Sequence, residues 1–502
     1  MTKRVCQRTT SPALPGVVVH GLLEMLGDGR DVTSLLNALP SLTLPPELVA
    51  LRDLGAAINL ADHWPVVHIT KIPAKHARLA ITALPAFSGI YVDPGIVALA
   101  WLDATLPPAM PITLVVSPEE LGTCSAFAYT WGDRVTNVIV RGAKMRIDPV
   151  PDILARCVNV QSIRIEFYTP VDKYLDALST KQLHTLQIDA LGHDAIDTSV
   201  IVAWLQGPRA TSLSLTCNSV RDLAALATAI QDCATLSSLR IVDTPGLKEA
   251  LVTSSSNLHH ITSLTLHDEG FNHDVNVGLL RKLDRTKVLS FSLEKDQGLE
   301  GDEVATTSVL DALAVCPALT TLSFTNLDVT ADRRMTGFWP HLTTVRVRST
   351  DFETPRELAA FVQWLSTSRC LKVVDLSGTT LQTEGLVELM RALPAWMARG
   401  LETLSLQGTK LGDDGAAIVA VGLASGKNQR PLTVDLTGNK LSIVSVKLLL
   451  ATLGACQNVR LHLFTARSDA DYSSTIQNLL RLHQLQEVLP GVFRSPSRST
   501  SA

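Results

Sequence analysis

The densest run of potential metal ligands in this 502-residue sequence is His267-Asp-Glu-Gly-Phe-Asn-His273-Asp274. Two imidazoles, two aspartates and a glutamate are donors that zinc accepts, but their spacing fits no helical or knuckle ligand geometry. The run follows an apolar segment ending at Leu266, so a solvated loop is the expectation. His259-His260 precedes another apolar segment and reads the same way. Asp413-Asp414 resembles a paired acid site, yet it stands where a helix begins, and a helix dipole favours acids there. Gly27-Asp-Gly29 is a turn. No phosphate-binding loop, GxSxG, HExxH or dinucleotide fingerprint occurs. The residues therefore predict no catalytic group, no metal and no cofactor, and a protein that is not an enzyme.

The thiols point the same way. Eight cysteines are scattered at 6, 124, 157, 217, 233, 316, 370 and 456 without a CxxC pair, and no Asn-x-Ser/Thr sequon occurs. Free thiols in a reducing compartment, cytoplasmic or nuclear, are expected. Lys3, Arg4 and Arg8 precede an apolar patch, but Pro15, His20 and Glu24 break it, unlike a secretory signal. No run reaches the ~18 apolar residues that a membrane span needs. A net charge of −4 gives no basic footprint, which argues against nucleic acid as a partner. With 46% hydrophobic and 18% charged residues, the chain is too apolar for general disorder and too long for a single ordinary core.

The elements that must position any functional group repeat. An L-x-x-L-x-L pattern, with other aliphatics allowed, recurs as Val135/Val138/Val140, Val160/Ile163/Ile165, Leu183/Leu186/Ile188, Leu213/Leu215, Leu236/Leu239/Ile241, Ile261/Leu264/Leu266 and Val288/Phe291/Leu293. It continues through Leu319/Leu322/Phe324, Leu342/Val345/Val347, Leu371/Val374/Leu376 and Leu401/Leu404/Leu406 to Val434/Leu436 and Leu461/Leu463. Its period averages about 27 residues. The alternation predicts a short strand with every second side chain inward. The loop slot after it wants a residue that satisfies backbone groups; Asn218 and Asn439 fill it, with Thr350, Thr379 and Thr409 as weaker substitutes. Leu386, Leu389, Met390 and Leu393 then recur at helical spacing. Trp64/Val67/Ile69, Phe87/Ile90/Val92 and Leu114/Val116 keep the register further upstream.

This pattern resembles leucine-rich repeat proteins, and the long repeats look like the ribonuclease-inhibitor-like class. Cys157, Cys233 and Cys316, each three residues before the first consensus aliphatic, are similar to the cysteine-containing subclass. A thiol there is read as a small buried hydrophobe. The resemblance implies an α/β repeat fold: a curved leucine-rich-repeat solenoid with an inner parallel β-sheet and outer helices, preceded by a small helical module. It also implies a protein partner on the concave face or loops.

Strand positions that face outward on that concave side are mostly serine and threonine. Arg164, Arg240, Arg346 and Arg348 are the exceptions with the reach of binding anchors. A smooth hydroxyl face with no dominant contact is the alternative.

Residues 14–60 break the repeat and predict three helices. Val18, Leu22, Met25 and Leu26 share one helical face; Asp31 opens a second helix with Val32, Leu35, Leu36 and Leu39; Pro45-Pro46 start a third with Leu48, Leu51, Leu54 and Ile58. Leu14-Pro15, Val18, Leu22-Leu23, Leu26, Asp31-Val32 and Leu35 resemble the opening of an F-box. That resemblance implies docking of the adaptor of a cullin–RING ubiquitin ligase through Leu14, Pro15, Val18 and Leu22. The family's Val-Cys-x-x-Trp ending is replaced by Ala38-Leu-Pro-Ser-Leu42. The competing reading is a helical cap that shields the first repeat. The domain boundaries expected are a disordered 1–13, the helical module at 14–60, repeats over 61–490 and a disordered tail at 491–502.

Overall fold

A computed structural model describes residues 16–27, 29–40, 44–93, 106–107, 109–117, 120–141, 149–167, 172–177, 182–190, 195–268, 273–295, 307–329, 338–352, 354–426, 428, 430–463, 470–489 and 491–496. The chain divides into two units, residues 1–210 with 217–221, and residues 211–216 with 222–502. Both are built as the sequence pattern requires, from short strands alternating with helices in the manner of a leucine-rich repeat solenoid.

The first unit opens with helices Gly16–Glu24, Gly29–Ala38 and Pro46–Ala57. Pro46 occupies the first helical turn, where its missing N–H costs nothing. Leu48, Leu51 and Leu54 recur at helical spacing and are completely buried, worth roughly 2 kcal/mol each. The backbone at Gly29 runs so close to Leu60 that a Cβ there would lie 2.4 Å from the Leu60 carbonyl oxygen. Strands Val66–His68, Gly89–Val92, Ile112–Val116, Val135–Arg141, Ser162–Phe167 and Thr185–Ala190 follow, each paired in parallel with the next. The three weakly patterned upstream segments are therefore strands.

The second unit repeats the arrangement from Ser212–Cys217 through Ser238–Val242, Ser263–Asp268, Ser290–Lys295, Thr321–Thr325 and Thr344–Arg348. Val373–Asp375, Thr403–Ser405, Leu432–Asp435 and Val459–His462 continue it, all parallel. Register is in phase throughout: Leu264, Phe291, Leu322, Val345, Val374, Leu404, Val434 and Leu461 are successive neighbours. Each is at most 1% exposed, because the helices cover that face of the pleat. Helix Thr383–Arg399 buries Leu386, Leu389, Met390 and Leu393 as its spacing requires.

The loop slot works as hydrogen-bond chemistry predicts. The Asn439 amide donates to the carbonyls of Leu406 (2.7 Å) and Leu436 (3.0 Å) and accepts from the Leu411 N–H (3.0 Å). The Thr379 and Thr409 hydroxyls donate to the carbonyls of Val347 and Leu406 at 2.8 Å each, and Thr409 also lies 3.4 Å from Asn439 Oδ1. Asn326, which the pattern missed, donates to the Lys295 carbonyl at 2.9 Å from a left-handed backbone position. Cys157, Cys233 and Cys316 are buried free thiols, and Cys157 donates to the Ile153 carbonyl at the end of its own helix.

Two features depart from the sequence reading. The composition of 491–502 predicts a disordered tail, yet Val492–Arg494 is a strand whose Phe493 is completely buried. It pairs antiparallel with Val459–His462 on one side and Gln486–Leu489 on the other, so the expected all-parallel sheet ends in an antiparallel hairpin. The composition of Arg494–Ala502 concealed this because the anchor, Phe493, stands just before it.

Candidate functional site

The face of the strands away from the helices is where polar side chains collect. In the second unit one row runs Ser214, Arg240, Thr265, Ser292, Ser323, Arg346, Asp375, Ser405, Asp435 and His462, each opposite the next. Neighbouring strands lie about 4.8 Å apart, so charges in adjacent strands are within reach of one another.

The four arginines singled out from sequence differ in their commitments. Arg164 reaches Glu166 at 2.7 Å and Asp189 at 3.3 Å. Arg240 is 3.7 Å from Glu294, two strands away. Arg348 binds the Asp375 carboxylate through Nε at 2.7 Å and through its terminal nitrogen. Asp375 is nearly buried and also accepts from the Ser377 N–H at 3.0 Å. Arg346 lies opposite Ser323 on one side and Asp375 on the other, and has no ion pair among the described residues. Arg164, Arg240 and Arg348 thus help neutralise carboxylates of this chain, whereas Arg346, between Ser323 and Asp375 in register, makes no ion pair with any described residue.

The remaining candidates resolve into structural roles. His267 Nδ1 meets Asp243 Oδ1 at 3.2 Å, while 269–272 lie outside the described residues and no group of three metal-type ligands occurs among the described ones. His260 sits against the Ile230 carbonyl at 3.1 Å, and burial lowers its pKa. Asp413 begins helix Asp413–Ala424 and accepts from the Ser442 N–H at 3.1 Å and the Ser445 hydroxyl. Those hydrogen bonds hold its carboxyl below the usual range.

Of the N-terminal candidates, Leu14 and Pro15 lie outside the described residues. On helix Gly16–Glu24, Val18 and Leu22 are 44% and 40% exposed and Met25 just beyond it is 81% exposed, while Val19 and Leu23 turn inward at 1%. Val18, Leu22 and Met25, which helical spacing puts on one face, are thus the exposed side of this segment, and Val19 and Leu23 the buried one.

On the helical side of the second unit, a groove of about 450 Å³ runs between Thr383–Arg399 and Asp413–Ala424, lined by Val387, Met390, Pro394, Ile418 and Val421. Among the described residues no helix is long and apolar enough to cross a membrane.

A family model described as Leucine Rich repeat matches residues 367–390, which span strand Val373–Asp375 and the first turns of its helix. No curated protein matches the chain. The match and the strand–helix units on both sides of it support a leucine-rich repeat protein, a class whose members are in general scaffolds that bind other proteins.

Proposed function

We propose that this chain is a non-enzymatic protein-interaction scaffold whose second unit holds its partner on the helix-free face of the strands, with Arg346 as the charged anchor. The observation that carries this reading is that Arg346 has no ion pair among the described residues, whereas Arg164, Arg240 and Arg348 are each paired with carboxylates. An arginine on a β face keeps its charge at any physiological pH and offers a planar fork matched to a carboxylate. The hydroxyl row around it supplies adaptable hydrogen bonds and no steric obstruction, so an acidic segment of a partner fits. The test places a photo-crosslinking amino acid at Ser323 or Ser405, and at Glu388 on the helical side as a control. Adducts confined to the strand face and lost with Arg346→Glu are the expected result; adducts only from Glu388 defeat the reading.

A second docking surface is supported by the exposure of Val18, Leu22 and Met25. Three apolar side chains turned to solvent on a helix whose other side is buried fit a docking stripe better than a cap that spends its apolar surface inward. Together with the F-box-like pattern, this favours a substrate receptor of a cullin–RING ubiquitin ligase, which joins its adaptor through the stripe and its substrate through the strand face. Co-purification of the full chain with the ligase adaptor, abolished by Val18→Asp with Leu22→Asp, tests it. Absence of the adaptor from the wild-type chain leaves the scaffold role without ligase coupling.

A further inference from the structure

Between the N-terminal helices and the first strand, two histidines pack on one another. His63 closes the short turn Leu60–Asp62 and is 6% exposed; His68 ends strand Val66–His68. Their rings meet edge to face with centroids 6.3 Å apart, and His68 lies against the ring of Tyr91 on the next strand at 4.2 Å. Both Nδ1 atoms are buried and meet no hydrogen-bonding atom of the described residues. The charged groups acting on the pair are the cations Lys71, which acts on both rings, and Arg141, which acts on His68. The opposing charge is Asp62, which acts on His63. The same segment is tied to the helices by the Trp64 indole, which donates to the Leu26 carbonyl at 2.7 Å, and by the close approach of Leu60 to Gly29.

We propose that the His63–His68 pair is an acid-sensitive latch, in which protonation of either ring releases the segment 60–68 from its packing and frees the N-terminal helices from the first strand. Two neutral rings tolerate the site; a proton added at either Nδ1 places charge on a buried atom that meets no acceptor among the described residues, with cations already nearby. Burial first, then Lys71 for both rings and Arg141 for His68, lower both pKa values below 6.5, and Asp62 offsets only part of this at His63. With folded values below the unfolded one, the released segment binds protons more readily than the packed one. The pair's contribution is therefore intact above about pH 6.5 and is lost as the pH falls below it. The latch concerns this chain alone and holds whether or not the apolar stripe docks an adaptor.

Hydrogen exchange of the full chain at pH 7.5 and 5.5, corrected for intrinsic rates, tests it. Amides of residues 46–68 should lose protection by about tenfold or more at the lower pH, while those of strands Thr403–Ser405 and Leu432–Asp435 keep theirs. The pair His63→Gln with His68→Phe should retain protection at pH 5.5. Acid-independent protection in the wild type, or the same acid loss in the double variant, overturns the proposal. Should the double variant already be unprotected at pH 7.5, NMR titration of the native imidazoles decides. Midpoints for both His63 and His68 below that of a histidine in an unfolded peptide support the latch, and either at or above it overturns it.

Discussion

Arg348 grips Asp375 diagonally across two strands, Nε to Oδ2 at 2.7 Å, although the residue directly opposite Asp375 in the register is Arg346. The diagonal is selected because the Ser377 N–H and hydroxyl also bind Asp375, turning its carboxylate along the strand toward Arg348. The neighbour in register, Arg346, makes no ion pair among the described residues.

Asp375→Ala should therefore destabilise the second unit by about 1–2 kcal/mol, since the part-buried Ser377 N–H loses its acceptor while half-exposed Arg348 turns to water. Arg346→Ala should shift stability by less than about 0.5 kcal/mol, as a surface change without partners does. Urea denaturation of both variants checks the pair. Equal losses would mean that Arg346 is structurally engaged after all.

On the N-terminal helix, two substitutions one residue apart should behave oppositely. Leu23→Ala removes a fully buried side chain and should cost about 2–4 kcal/mol. Leu22→Asp should leave the melting temperature nearly unchanged. A steep loss from Leu22→Asp favours the cap over the docking stripe.

Asn439→Ala should cost about 2–3 kcal/mol, because the Leu406 and Leu436 carbonyls and the Leu411 N–H all lose a partner. Asn439→Thr should recover part of this, as Thr409 and Thr379 fill the same slot with a single donated hydrogen bond. Calorimetric ranking of wild type, threonine and alanine in that order is the expected outcome.

Burial pushes the Cys157 thiol up to about 12 and that of Cys316 to about 11. At neutral pH these side chains hold almost no thiolate, the reactive form. In native protein both should resist maleimide at pH 7 and react fully in guanidinium, as read by intact-mass spectrometry. A bridge among Cys157, Cys233 and Cys316 would contradict the placement of each at its own helix-to-strand corner.

Much of this was legible in the sequence, and the reason is geometric. A strand leucine faces the helices because of its own position in the pleat, so Leu322, Leu404 and their counterparts reveal the repeat without knowledge of any partner. The Asn439 slot is similarly local to one turn. The fate of the four arginines is not local. Whether each is paired depends on carboxylates 2 to 54 residues away, at Glu166 and Asp189, at Glu294 and at Asp375, and on the rotamer that Ser377 imposes. Sequence spacing could nominate Arg164, Arg240, Arg346 and Arg348 together, and register alone would pair Arg346 with Asp375; only the diagonal side-chain geometry separates the third from the rest. The Val18, Leu22 and Met25 face is local, as the strand leucines are, because helical spacing alone groups it; the burial of Val19 and Leu23 on the other side depends on the neighbouring helices.

The closing hairpin has a bearing on solubility. A parallel ladder left bare at Val459–His462 would offer a row of free amides and carbonyls on which a second molecule's strand could be templated. Val492–Arg494 occupies that row, locked by a reciprocal bond pair between Val459 and Ser495 (3.0 and 2.9 Å). The new outermost strand, Gln486–Leu489, carries a register irregularity and Glu487, features that discourage further addition. The last dozen described residues thus act as a chain terminator for intermolecular β-polymerisation. Truncation before Gln484 should turn a well-behaved protein into one that forms thioflavin-positive aggregates, with the repeats themselves unchanged.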